Sequence, residues 1–355
     1  MPFDSATYCD VTNKIYASMG PYVVQCNATT GAREAIVKVA SPFLGPTRLI
    51  YYQPNGLLYL SLMVDPAGFD PVGLVAPGDI WPIDPVTLLV APKVNLSSVV
   101  FPGQLTSING FAAGPRALMV QSIGVGFLYF VWQHAPSANS FWQLYGFDPG
   151  NPATSGVTDS HASGLFWTEE QFCCDGTFIY FGDPDAQIMG AIPINFSGYF
   201  GSWFQCDFNQ APLNMAADLN RQRPVACEIA IDGINRAFLV CGNQYLLNPF
   251  HTSAWGGPPG DSDFNMYDLS NGAVVTGAIA GIQPFRLRYR KSGGDHKIYI
   301  PCQNKDCVIV FNPATNTGVV KTGFDSPIDV VFTDTIFPGK AFAVQSGPTG
   351  LKEIV

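Results

Sequence analysis

Apolar and polar positions alternate in short runs along most of the chain, and each run stops at Gly, Asn, Asp or Pro before the alternation resumes. That is the period of β-strands joined by tight turns. Seven segments repeat one version of the pattern: a short strand, a polar turn, then a strand of small and apolar residues with a large apolar or aromatic residue at a fixed place. They read ATYCDVTNKIYAS (6–18), RLIYYQPNGLLYLS (48–61), TSINGFAAGPRALMV (106–120), TEEQFCCDGTFIYF (168–181), ACEIAIDGINRAFLV (226–240), FRLRYRKSGGDHKIYI (285–300) and DVVFTDTIFPGKAFAV (329–344). The fixed position is Tyr16, Tyr59, Leu118, Tyr180, Phe238, Tyr299 and Phe342, recurring at intervals of 43 to 62 residues. Each segment predicts a β-hairpin, and the interval suits a four-stranded sheet carrying insertions.

A second series sets apolar residues before an Asn or Asp that is followed closely by Thr, Ser or Gly, at Asn27, Asp84, Asp148, Asn195, Asp268 and Asn312. A side-chain oxygen there accepts hydrogen bonds from the backbone amides of its own turn, which predicts hairpins between second and third strands. From each of these residues to the next marker is 30 to 34 positions, with 43 after Asn195, whereas marker to Asn or Asp ranges from 11 to 30. On this reading the marker strand is the innermost of its sheet, and insertions fall mainly between innermost and second strands, on one face. The chain ends in two strand-like runs, AFAVQS and GLKEIV, and residues 6–11 read as an outer strand with nothing before it. The N-terminal strand is therefore expected to close the last sheet, which has room for three strands, because closure protects exposed sheet edges.

Residues 297–344, KIYIPCQNKDCVIVFNPATNTGVVKTGFDSPIDVVFTDTIFPGKAFAV, resemble a YVTN-type β-propeller repeat of the wider NHL and WD-like architecture, as does the stretch around 14–61. The resemblance implies an all-β, seven-bladed β-propeller occupying residues 1–355 as a single domain. It implies no activity, because such folds host binding platforms, structural parts and enzymes alike.

Composition narrows the picture. With 36 Gly, 29 Pro and 13% charged residues the chain is no helical bundle, and 47% hydrophobic residues exclude disorder. A net charge of −9 provides no general field for nucleic acid or an anionic membrane. The N-terminal MPFDSATYCD lacks a charged and apolar leader pattern, and no run is long enough to span a bilayer as a helix. Nine cysteines without a leader pattern are expected as reduced, buried thiols.

Candidate chemistry is sparse. Lys14, Arg116, Arg236, Lys297 and Lys340 each stand two residues before their marker. Two readings fit: a basic collar around one channel mouth that contacts an anion, or solvated residues at strand starts. The four histidines, His134, His161, His251 and His296, form no ligand spacing, and neither Cys302 with Cys307 nor the adjacent Cys173 and Cys174 is matched by a second CxxC pair. The acidic runs DPDAQ (183–187) and GDSDFN (260–265) lack a calcium-loop pattern, and there is no GxSxG elbow. No cofactor or metal is expected.

Inserted segments at about 62–79, 121–141, 199–222 and 243–263 carry Phe69, Phe130, Trp132, Trp203, Phe204, Phe250, His251 and Trp255 among Pro, Gly, Ser and Asn. Aromatics on adaptable loops suit protein contacts or stacking on sugar rings; the other reading folds them inward over the sheets. The expected function is a non-enzymatic structural or binding propeller, similar in architecture and composition to tail or adhesin components of bacteriophage virions. Its partners would be other virion proteins or a host-surface glycan, with homo-oligomerisation and DNA contact open if it forms a ring, and no membrane insertion. The alternative is a lactonase-like metal-dependent hydrolase or sugar-binding propeller with its site at the channel mouth.

Overall fold

A computed structural model describes residues 3–40, 47–62, 79–95, 286–290, 295–315, 317–334, 339–348 and 350–355, together with strand segments between 115 and 276. Every strand pairs antiparallel with its sequence neighbour. The first sheet holds β1 (Ser5–Cys9), β2 (Lys14–Met19), β3 (Tyr22–Asn27) and β4 (Arg33–Lys38); the second holds β5 (Thr47–Tyr52), β6 (Leu57–Leu62), β7 (Asp79–Ile83) and β8 (Val94–Asn95). The third comprises β9 (Pro115–Val120), β10 (Leu128–His134), β11 (Phe141–Phe147) and β12 (Gly156–His161). A three-stranded sheet follows, β13 (Cys173–Cys174), β14 (Phe178–Asp183) and β15 (Ile188–Pro193), then β16 (Pro224–Ala230), β17 (Arg236–Cys241), β18 (Phe264–Asp268) and β19 (Val274–Thr276). The next sheet is β20 (Arg288–Arg290), β21 (Lys297–Cys302), β22 (Cys307–Asn312) and β23 (Thr317–Thr322). The last is β24 (Pro327–Phe332), β25 (Ala341–Gln345) and β26 (Leu351–Glu353).

Burial ranks the strands of a sheet. β2 and β25 are buried along almost their whole length, while β4 and β23 are largely exposed. The second strands are covered on both faces, which is why they read as nearly continuous apolar runs. Alternate side chains of β2 serve different neighbours: Ile15, Ala17 and Met19 pack with Ile328, Val331, Phe342 and Val344 of the last sheet, whereas Tyr16 packs with Leu49, Leu58, Leu60 and Trp81 of the second. Tyr299 likewise packs against Val330, Ala341 and Ala343. Three described markers keep one direction, each filling the gap toward the following sheet: Tyr16 toward the second, Tyr299 toward the last, Phe342 toward the first. Gly31 lies at the end of the β3–β4 turn at φ +72°, and a Cβ there would stand 3.2 Å from the Phe342 ring, so both the backbone angle and the close approach suit glycine.

The turn chemistry expected of the Asn/Asp series is present. Asn27 Oδ1 accepts from the amides of Thr29 (2.8 Å) and Thr30 (3.0 Å), Asp84 Oδ1 from Val86 (2.7 Å), and Asn312 Oδ1 from Ala314 (2.9 Å). These turns join third to fourth strands, however, one strand further out than expected.

The same offset corrects the closure of the last sheet. Residues Ser5–Cys9 pair residue by residue with Lys14–Ser18 through the turn after Cys9, not with the C-terminal strands, and among the described residues the last sheet consists of β24, β25 and β26. A hairpin within one sheet and a link between sheets look identical as strand, turn, strand. Hydrogen-bonded register decides between them, and it makes the short strand of each described marker hairpin the first of its own sheet. Insertions shift accordingly: residues 63–78 and 242–263 join second to third strands, not first to second. Segment 121–141 is also not wholly a loop, since 128–134 form β10.

Candidate functional site

Polar residues concentrate where first strands face one another. Asp4 precedes β1, and its Oδ2 accepts from the Gly20 amide (2.9 Å), the Thr47 amide (3.3 Å) and Thr47 Oγ1 (3.1 Å), linking the first sheet to the second. Ser5 Oγ accepts from the Leu49 amide (2.7 Å), and Thr7 Oγ1 from the Tyr51 amide (3.2 Å). These hydroxyls satisfy amides along an edge of β5, where no neighbouring strand is hydrogen-bonded to supply carbonyls.

On the other side of β1 lies an ionic group. Arg286 Nη1 donates to Asp329 Oδ2 (2.9 Å) and to the Asp4 carbonyl (3.3 Å). Arg288 donates from Nε to Asp329 Oδ1 (2.8 Å) and from Nη2 to Oδ2 (2.9 Å), the bidentate fork that fits a carboxylate. Asp329 is fully buried, and the Arg288 side chain, 35% exposed, carries the solvent-facing edge of the group. Burial pushes the Asp4 carboxyl up to about 6 against the Gly20 and Thr47 hydrogen bonds and the Arg48 charge. The arrangement can bind sheets together and hold a proton at Asp4 near pH 6; the Asp329 carboxylate is taken up by two guanidiniums and the Val330 amide.

A second group sits at the opposite end of the sheets, by the β20–β21 turn. Arg290 Nε donates to Asp334 Oδ1 (2.7 Å), its Nη1 lies 3.5 Å from Asp295 Oδ2, and its guanidinium stacks 5.6 Å from the Phe332 ring centre. Lys297 Nζ pairs with Asp295 Oδ1 (2.7 Å), and the Tyr299 hydroxyl donates to Asp295 Oδ2. Burial would raise the Asp295 carboxyl, but Lys297, Tyr299 and Arg290 hold it below its usual range. Beside them the Tyr289 hydroxyl and His296 Nδ1 share a hydrogen bond (2.9 Å).

The basic column separates from the first strands. Lys14 opens β2 and pairs with Glu34 of β4 (2.7 Å); Lys340, just before β25, pairs with Glu353 of β26 (2.7 Å) and donates to the Thr29 carbonyl (3.0 Å); Lys297 opens β21 and is held by Asp295. Their positions are starts of second strands, each answered by an acid. Arg116 lies in β9 and Arg236 opens β17, their side chains outside the described residues. Of the aromatic candidates, Phe130 and Trp132 stand in β10, where Phe130 pairs with Tyr145 and Trp132 with Gln143, so a strand replaces the expected loop. Phe69, Trp203, Phe204, Phe250, His251 and Trp255 lie outside the described residues. Among the described residues no group of three or more His, Cys, Asp or Glu side chains could hold a metal ion, and no helix is long and apolar enough to cross a membrane.

Sequence reasoning missed the Arg286–Asp329–Arg288 group. Its signal was legible: FRLRYR places arginines at alternate positions of one strand, an arrangement that a buried strand tolerates only with carboxylates opposite.

No family model matches the chain, and no curated protein matches it in sequence. Solved structures do match it in shape. Streptogramin B lyase aligns at TM-score 0.54 and 10% identity, covering 97% of this chain and 90% of that one. The Swd1 β-propeller domain from Myceliophteria thermophila aligns at 0.55 and 6%, covering 99% and 95%. The fold is that of a β-propeller. A dihydro-heme d1 dehydrogenase aligns at 0.53 and 12% over 100% of this chain, which spans 66% of that protein's length. Two of these proteins are named as enzymes and the third as a β-propeller domain, so the likeness defines architecture and leaves chemistry to the residues of this chain.

Proposed function

We propose that this propeller closes as a ring of seven blades built on YVTN-like repeats, and that it works as a non-enzymatic binding and assembly module. Its setting would be a bacteriophage virion, as a tail or adhesin component that meets another virion protein or a host-surface glycan. The observation that carries the assembly reading is the use of charge on the first strands. Asp329 is consumed by Arg286 and Arg288, and Asp4 by Gly20 and Thr47, so these groups join blade to blade. Binding then falls to the long connections, and 63–78 with 242–263, which contain Phe69, Phe250, His251 and Trp255, both leave from second strands. The virion setting rests on composition and architecture, which resemble those of phage tail and adhesin propellers.

The test combines light scattering, elemental analysis and a glycan array on the full chain, with mass spectrometry of purified virions from the source phage lysate. Metal-free protein that is found in particles, and whose partner or glycan contact is lost in the F250A/W255A variant, supports the proposal. A monomer holding one divalent ion per chain, with lactone hydrolysis lost on chelation, overturns it.

A further inference from the structure

Cys302 and Cys307 are register partners that close the β21–β22 hairpin around a 3₁₀ turn, Gln303–Lys305. Both thiols are free and buried. Directly opposed residues of an antiparallel pair have Cα atoms about 4.5–5.5 Å apart, within the span of roughly 4.4–6.8 Å that a disulfide bridges. The Cys302 S–H donates to the Ile300 carbonyl oxygen (3.4 Å). Cys9 and Cys26 have no such counterpart: they sit on different strands that are not paired with each other.

The geometry points to a reversible redox site, a Cys302–Cys307 dithiol that peroxide converts to a cross-strand disulfide. Cys307 is the attacking sulfur. The neighbouring Cys302 holds the Cys307 thiol below the usual cysteine range against the opposing effect of burial, whereas Cys307 and burial together push the Cys302 thiol up. The Cys307 thiolate attacks one oxygen of hydrogen peroxide, the O–O bond breaks, and hydroxide leaves, giving a sulfenic acid at Cys307. The Cys302 sulfur then attacks the Cys307 sulfur, the S–O bond breaks, and the Cys302 proton with the departing hydroxide makes water. Two thiols and one peroxide yield one disulfide and two waters, the protein losing two electrons and two protons.

The turn that would be locked is tied to the neighbouring blade. The Asp306 carbonyl accepts from the Phe324 amide (3.2 Å), Asp306 Oδ1 from the Ser326 amide (2.9 Å), and Gln303 Nε2 reaches Ser346 Oγ (3.5 Å). Oxidation therefore acts on the junction between the last two sheets, at the end of the sheets where β24 begins.

The test treats the folded full chain at pH 7 with one to ten equivalents of hydrogen peroxide, followed by differential alkylation and peptide mass mapping. A 302–307 peptide lighter by two hydrogens, restored by dithiothreitol, is expected. The C302S variant keeps a hydrogen-bond donor but cannot form the bridge, so peroxide should stop at a Cys307 sulfenic acid that dimedone captures. Its yield should exceed that at any other cysteine several-fold. Wild-type Cys302 and Cys307 that stay reduced while other cysteines oxidise, or Cys307 that passes to sulfinic acid without bridging, would overturn the assignment.

Discussion

Asp4 is a described side chain whose charge state is coupled to folding. Its carboxyl titrates near 3.8 in the unfolded chain and at about 6 in the folded one, raised chiefly by burial. The protonated form is thus favoured by folding: stability is complete below about pH 4 and falls as pH climbs through 6, by up to about 3 kcal/mol. D4N keeps an acceptor for Gly20 and Thr47 without the charge. A urea series from pH 4 to 8 should show wild type losing stability across that window while D4N stays flat, and parallel curves would refute the assignment. Removing the Asp329 carboxylate in D329A leaves Arg286 and Arg288 without their acid, an expected loss of about 3–5 kcal/mol in denaturant unfolding.

In the first, second and sixth sheets, the second strand is tied to its own turn through a tyrosine marker. The Tyr16 hydroxyl donates to the Pro85 carbonyl (2.6 Å) and lies 3.1 Å from Thr12 Oγ1; the Tyr59 hydroxyl accepts from Asn55 Nδ2 (2.6 Å); Tyr299 donates to Asp295. In all three the turn partner stands four residues before the tyrosine, so a polar residue at that spacing is a readable mark of the repeat. Y16F and Y59F each leave buried or half-buried partners short of a hydrogen bond, an expected cost of about 1–2 kcal/mol. Y16F should cost more, because Pro85 belongs to the next blade; equal thermal shifts would show that the link between blades contributes nothing. The hairpins were legible because alternation and turn residues are local properties. Their place in the sheet was not, since the bonds made by Ser5 and Thr7 to Leu49 and Tyr51 connect positions 44 apart.

At the scale of the molecule, β1 is an interior strand between its neighbours, with Leu49 and Tyr51 on one side and Arg286 on the other. Deleting residues 1–9 therefore removes a first strand together with Asp4, and Phe3 from the core shared with Ile328 and Phe342. The expected result is loss of the cooperative melting transition or a drop of many degrees, and a truncated chain that melts like the intact one would contradict this packing. The reason differs from an unzipped final blade: what is lost is the seam between first and last sheets, where apolar side chains of both ends interdigitate.

Residue order by itself determined the all-β class, the hairpin repeat and the Asx turns at Asn27, Asp84 and Asn312, because each depends on contacts within a few positions or on a simple period. Tertiary structure alone decided which strand of a sheet each hairpin supplies, that Lys14, Lys297 and Lys340 spend their charge on Glu34, Asp295 and Glu353, and that Arg286 and Arg288 converge on Asp329. Those outcomes rest on pairing between distant segments, and an alternating strand pattern is the same whichever neighbour it finds. Only packing in three dimensions selects the neighbour, since burying a charge is tolerable where its partner is already in place.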